Sequence, residues 1–125
     1  MAKMVIRYAT LLLTLTGVLA LILGLLFWTG NALHLISMHM LLGIIAVVAL
    51  WVGGFAQALG GGSWPLAIIA FIIGLATLFL GIHQMTLMVG PNHWIIEVVH
   101  LILGLLTIGF GHMCAKRNAK SKMKN

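Results

Sequence analysis

The sequence predicts an all-α membrane protein, four transmembrane helices folded into an up-down-up-down bundle. Three observations predict it. First, four apolar runs almost free of charge cover residues 9–28, 35–55, 64–88 and 94–113. At a rise of 1.5 Å per residue, about 20 residues cross a hydrocarbon core of ~30 Å. Second, the connections between the runs are short and polar or glycine-rich, which forces neighbouring helices to run antiparallel. Third, the chain is 62% hydrophobic and only 6% charged, whereas soluble domains carry about 25% charged residues. All 125 residues form a single domain, with helices expected over about 5–28, 35–56, 64–88 and 93–114 and a basic tail over 115–125.

Helix one begins after Lys3 and closes at Trp28. Its apolar run exceeds the 7–15 residues of a signal peptide and lacks a small-x-small cleavage site, so it reads as a retained span. Thr29-Gly30-Asn31 turns the chain into helix two. The segment from Gln57 to Ser63, with Gly60-Gly61-Gly62, leads to helix three, and Gly90-Pro91-Asn92 leads to helix four. Trp28 and Trp94 mark one membrane interface, Tyr8 and Trp64 the other. Lys3 and Arg7 at one end, and Lys116, Arg117, Lys120, Lys122 and Lys124 at the other, give the positive-inside signature. Both termini are therefore expected in the cytoplasm and the protein in the inner membrane. The net charge of +6 speaks for topology and anionic lipid rather than nucleic acid. The lone Cys114 excludes an internal disulfide and is expected at the cytoplasmic face among the bases, as a bystander thiol or, alternatively, a lipidation point.

The chain is internally duplicated. Gly17 and Gly24 in helix one match Gly74 and Gly81 in helix three at an offset of 57 residues. His39-Met-Leu-Leu-Gly43 in helix two matches His100-Leu-Ile-Leu-Gly104 in helix four at an offset of 61. Each repeat holds two spans, so the repeats are parallel and their pseudo-two-fold axis runs along the membrane normal.

Ionisable side chains inside hydrocarbon are costly and mark function by default. His34, His39, His83, His93, Glu97 and His100 all fall in the outer half of the spans, and only His112 falls at the inner end. Helices two and four are diagonal in such a bundle, so His39 and His100 can ligate one iron from opposite sides. Each is followed four residues later, on the same helical face, by a glycine. Gly43 and Gly104 leave room beside the ligands for a porphyrin, and Gly24 and Gly81 thin the other two helices near the same depth. His93, Glu97 and His100 form one stripe of helix four. Glu97, the only acid, is expected to be protonated or paired with His83 or His93, with a role in passing protons. The outward edge of a porphyrin would face Asn31, His34, Asn92, His93 and Trp94.

A transmembrane four-helix bundle with histidines on facing helices and glycines beside them resembles the small membrane b-type cytochromes, including the bacterial cytochrome b561 type. The resemblance implies one haem b, bis-His ligation by His39 and His100, and electron exchange with a quinone pool or a periplasmic redox partner. The two-haem members of that type carry His near both membrane faces. Helix one here has no His, and His112 has no partner at its level, so one haem is expected, in the outer half.

Two other readings use the same residues. The outer imidazoles with Glu97 and the thioethers of Met38, Met40, Met85 and Met88 suit copper or zinc handling. Alternatively, the chain is a cofactor-free membrane subunit or small transporter, packed through its glycines and able to form a homo-oligomer. No nucleophile-base pair or phosphate loop occurs, so any enzymatic activity would be that of a quinone-linked oxidoreductase.

Overall fold

A computed structural model describes the backbone of residues 2–124 and the side-chain packing of residues 3–117. Four helices account for nearly all of it: α1 (Ala2–Trp28), α2 (Ile36–Leu59), α3 (Trp64–His83) and α4 (His93–Lys124), with a single 3-10 turn at Leu33–Leu35 ahead of α2. All four contain segments long and apolar enough to cross a membrane, with mean hydropathy between 1.9 and 2.5. The expected four-helix membrane bundle is what forms.

The helix ends differ from expectation in two places. α3 stops at His83 rather than Met88, because the chain turns there. The Thr86 amide and hydroxyl both donate to the His83 carbonyl, Met88 and Gly90 adopt positive φ, and Pro91 cannot continue a helix. α4 runs beyond residue 114 through the basic tail to Lys124, since Ala, Lys, Arg and Met are strong helix formers.

Both termini and the α2–α3 loop lie at one end of the bundle, the terminal end. The other end is called distal below. Among the described residues α1 and α3 do not touch, whereas α2 packs on all three other helices. The cross-section is a rhombus whose short diagonal joins α2 and α4.

The terminal half is packed solid. Leu13, Ala46, Ala49, Leu50, Ala70 and Cys114 form its buried core. Cys114 is wholly enclosed and faces Gly54. The expectation of a surface thiol among the bases is therefore corrected: the small side chain turns inward where only a small group fits. Gly111 is obligatory here, because a methyl group would overlap the Leu13 side chain, and one on Gly74 would overlap Trp51 and Val47. Close backbone approach through small residues is the usual substitute for hydrophobic driving force between helices in lipid. Most of the large apolar side chains, such as Leu11, Leu15, Ile68 and Ile72, point outward towards what would be lipid.

The α2–α3 loop is held by Gln57, fully buried. Its amide nitrogen donates to the Ser63 carbonyl at 2.7 Å and its oxygen accepts from the Ser63 amide at 2.9 Å. The Ser63 hydroxyl then caps α3 by accepting from Leu66 N.

The duplication reappears as repeated contacts. A methyl on Gly24 would meet His39, and one on Gly81 would meet His100. Gly17 abuts Ile108, and its counterpart Gly74 abuts Val47, the residue 61 positions before Ile108. Thr14 bonds His112 Nε2 at 3.0 Å. The counterparts, Phe71 and Trp51, are joined by an indole N–H donated to the Phe71 carbonyl at 3.3 Å. Two contacts map onto themselves, His39 with His100 and Leu50 with Gly111, and so lie on the pseudo-axis.

Candidate functional site

Helical spacing puts His39, Gly43, Ala46 and Leu50 on the axis-facing stripe of α2, and His100, Gly104, Thr107 and Gly111 on that of α4. The stripes explain where the bundle opens. Leu13 and Leu50 pack against Gly111, but one turn below the histidines both helices carry glycine. Gly43 and Gly104 line a partly open cavity of about 470 Å³ in the distal half, and a methyl group on either would meet nothing within 4 Å. Ala46, Val47, Thr107 and Ile108 form the floor. The volume falls within the ~300–1,000 Å³ usual for ligand pockets.

His39 and His100 face each other across the short diagonal, ring centroids 6.2 Å apart and planes at 65°. Each ring is seated against the helix preceding it in the chain. His39 Cε1 would lie 3.3 Å from a methyl on Gly24, and His100 Cε1 3.2 Å from one on Gly81. Gly24 and Gly81 therefore make room for the imidazoles themselves rather than for a group beside them. Phe27 adds an edge contact to His39 at 5.3 Å. The Nδ1 atoms of both histidines are buried without a hydrogen-bond partner. Buried polar atoms are nearly always paired, so two orphans on one pair of rings call for an explanation.

The walls of the cavity are unequal. α1 and α2 present Ala20, Leu21, Phe27 and Ile36, whereas α3, α4 and their connection present Thr77, Gln84, His93, Glu97 and Thr107. Thr77 and Thr107 bond each other at 3.1 Å. His93 Nδ1 donates to the Leu87 carbonyl at 3.0 Å, which leaves Nε2 facing Glu97 Oε1 at 3.8 Å. Of the two expected partners for Glu97, the structure selects His93. His83 lies elsewhere. Its Nδ1 bonds the Phe79 carbonyl at 3.0 Å, its ring leans on Phe79 at 4.5 Å, and it lines no part of the cavity. His34 is exposed on the 3-10 turn and His112 is exposed at the terminal end. Met40 and Met85 reach the cavity, whereas Met38 and Met88 do not.

The site thus gathers His39, His100, Gly43, Gly104, Gly24, Gly81, His93 and Glu97, and leaves out His83. The Thr77–Thr107 pair was not anticipated. The repeat contained the signal, since the counterparts of these threonines are Ala20 and Ala46 and the two halves differ there. Among the described residues no three of His, Cys, Asp and Glu converge as ligands to one ion.

The 6.2 Å ring separation, the unpartnered Nδ1 atoms and the glycine-lined void leave space for a bound group beside His39 and His100. Comparison of the chain with protein-family models, curated proteins and solved structures finds no match.

Proposed function

We propose that this chain is a small membrane b-type cytochrome that holds one haem between His39 and His100 and exchanges electrons with a quinone pool or a redox partner at the outer surface. The observation that carries the reading is the 6.2 Å separation of the two rings above a void bounded by Gly43 and Gly104. The distal end is assigned to the outer face and both termini to the cytoplasm, because the bases cluster at the terminal end.

When bound, haem b supplies one-electron exchange at its iron. The protein's own residues do the rest. His39 and His100 would hold the group through their ring nitrogens, and the seats at Gly24 and Gly81 fix the direction in which each ring points. Gly43 and Gly104 keep the space beside the ligands free of side chains. The packed floor at Ala46, Val47 and Ile108 keeps the group in the outer half. A bare copper or zinc ion has less support, since its usual three or four protein ligands do not gather among the described residues.

The deciding experiment is the absorption spectrum of the detergent-purified protein, oxidised and then dithionite-reduced. Sharp reduced α and β bands of a low-spin bis-His haem are expected. His39→Ala or His100→Ala should remove the low-spin spectrum, while His83→Ala and His112→Ala should leave it intact. A colourless protein carrying stoichiometric copper or zinc would refute the proposal.

A further inference from the structure

We infer that the seam between α1 and α4 at the terminal end binds one anionic phospholipid, with its phosphate held between Arg7 and Lys116. The site lies in the opposite half of the bundle from the cavity and is independent of any haem.

The internal repeat exposes it. The seam between α2 and α3 is closed by four aromatic side chains. Trp51 lies against Phe71 with ring centroids 5.1 Å apart, Phe71 against Phe55 at 6.0 Å, and Phe55 against Trp64 at 6.4 Å. The offsets of 57 and 61 residues carry this quartet onto the α1–α4 seam. There the counterparts of Trp51, Phe71, Phe55 and Trp64 are His112, Thr14, Lys116 and Arg7. Every aromatic member is replaced by a polar or cationic one. One seam is filled by rings, and the other carries groups that recognise an anion.

Register and spacing place the cations. Thr14 and His112 are joined at 3.0 Å and Leu13 meets Gly111, which fixes the antiparallel register of the two helices. Arg7 is two turns before Thr14 on α1, and Lys116 is one turn after His112 on α4, so both fall on the stripes that face the seam. At 1.5 Å per residue they lie about 10 Å and about 6 Å beyond the Thr14–His112 contact, within one turn of each other. Both are exposed. Among the described residues neither has a carboxylate partner, since Glu97, the only acidic residue, stands at the distal end beside His93. Two cations this close on adjoining helices repel unless an anion lies between them.

The occupant follows from where the seam lies. Arg7 and Lys116 stand near the ends of two membrane spans, at the level where a bilayer carries its phosphates. Exposed Leu11, Leu15 and Met113 border the seam on the hydrocarbon side, where the acyl chains of a lipid would run. A guanidinium grips phosphate oxygens in pairs, and an ammonium adds a point charge. The Thr14 hydroxyl donates to the Thr10 carbonyl at 2.8 Å, so its oxygen accepts the His112 Nε2–H. That contact closes the hydrocarbon end of the site.

The test is native mass spectrometry of the detergent-purified full chain, titrated with phosphatidylglycerol or with phosphatidylcholine of the same acyl composition. The two cations should together favour phosphatidylglycerol by roughly 25-fold, about five-fold each. Arg7→Gln and Lys116→Gln should each lose their share. Arg117→Gln removes the same charge from a position off the seam and should change the preference little. Arg7→Trp combined with Lys116→Phe installs the residues of the other seam, and this variant should stay a helical bundle that no longer distinguishes the two lipids. Equal binding of the two lipids by the parent overturns the proposal. So does an Arg117→Gln effect as large as that of Arg7→Gln, which would mean diffuse surface charge, or a preference that survives in the Trp/Phe variant. Displacement of the lipid by millimolar inorganic phosphate would mean a soluble-anion site and overturns it too.

Discussion

Leu50 of α2 and Gly111 of α4 meet on the pseudo-axis, and Leu13 of α1 occupies the space that the glycine leaves. Two turns closer to the distal end, Gly43 and Gly104 occupy equivalent places with no side chain between them. One duplicated backbone thus yields a plug at one level and a void at the next, according to whether a large residue faces the glycine.

This contrast predicts opposite outcomes for one type of substitution. Gly111→Ala should destabilise the bundle by about 1–3 kcal/mol, as overpacking does, because the new methyl overlaps Leu13. Gly43→Ala and Gly104→Ala should be neutral or stabilising by up to about 1 kcal/mol, the helical advantage of alanine over glycine. Thermal unfolding in detergent measures all three. Equal destabilisation at the three positions would show that the void is closed in the folded protein.

A larger side chain tests what the void is for. Gly43→Leu should insert and purify as a helical bundle, with its leucine in the cavity, but without haem absorption. His39→Ala keeps the cavity and should retain some five-coordinate, high-spin haem on His100. If Gly43→Leu takes up haem as well as the parent, the space beside the histidines is not the macrocycle's seat.

Gln57 offers a check unrelated to the cavity. Gln57→Ala leaves the Ser63 amide and carbonyl without their partners. Unsatisfied buried groups cost about 1–3 kcal/mol. Proteolysis at the Gly60–Ser63 loop should become faster in detergent, with the absorption spectrum unchanged. A variant as resistant as the parent would mean that the loop does not depend on this clamp.

The fold was legible because its causes are local. Four apolar runs of membrane length and short turns leave few alternatives, and the paired glycines and histidines disclose the repeat. The His39–His100 pair was legible for the same reason, as a match between repeats. Other features depend on tertiary contacts that no single segment encodes. The inward turn of Cys114 is set by Gly54 on another helix. The early end of α3 is set by Thr86, Gly90 and Pro91, against an apolar run that continues to Met88. That Glu97 pairs with His93 rather than His83 follows from the Leu87 carbonyl, which orients the His93 ring.

Burial of Cys114 gives a direct chemical test. With the thiol wholly enclosed, a membrane-permeant maleimide should label the native detergent-solubilised protein at least ~10-fold more slowly than the SDS-unfolded chain. Rapid labelling of the native form would place the thiol outside the core.

The assigned orientation predicts that a reporter fused after Asn125 is active only in the cytoplasm. Cysteines introduced at Asn31 or Asn92, in a Cys114→Ala background, should react with an impermeant reagent added outside intact cells. Labelling solely from the cytoplasmic side would invert the topology.

The solid packing between Leu13, Leu50 and Gly111 has an electrical consequence. With the core of the terminal half packed and, on the proposed orientation, the histidine pair nearer the outer face, an electron reaching the pair from outside would traverse only part of the membrane field. The full drop is worth about 2.3 kcal/mol per charge at 100 mV, and the transfer would feel roughly half of that or less. On the proposed haem reading, redox turnover at this site would therefore depend on the membrane potential by no more than about 1.2 kcal/mol per electron at 100 mV, about half the dependence of a full crossing.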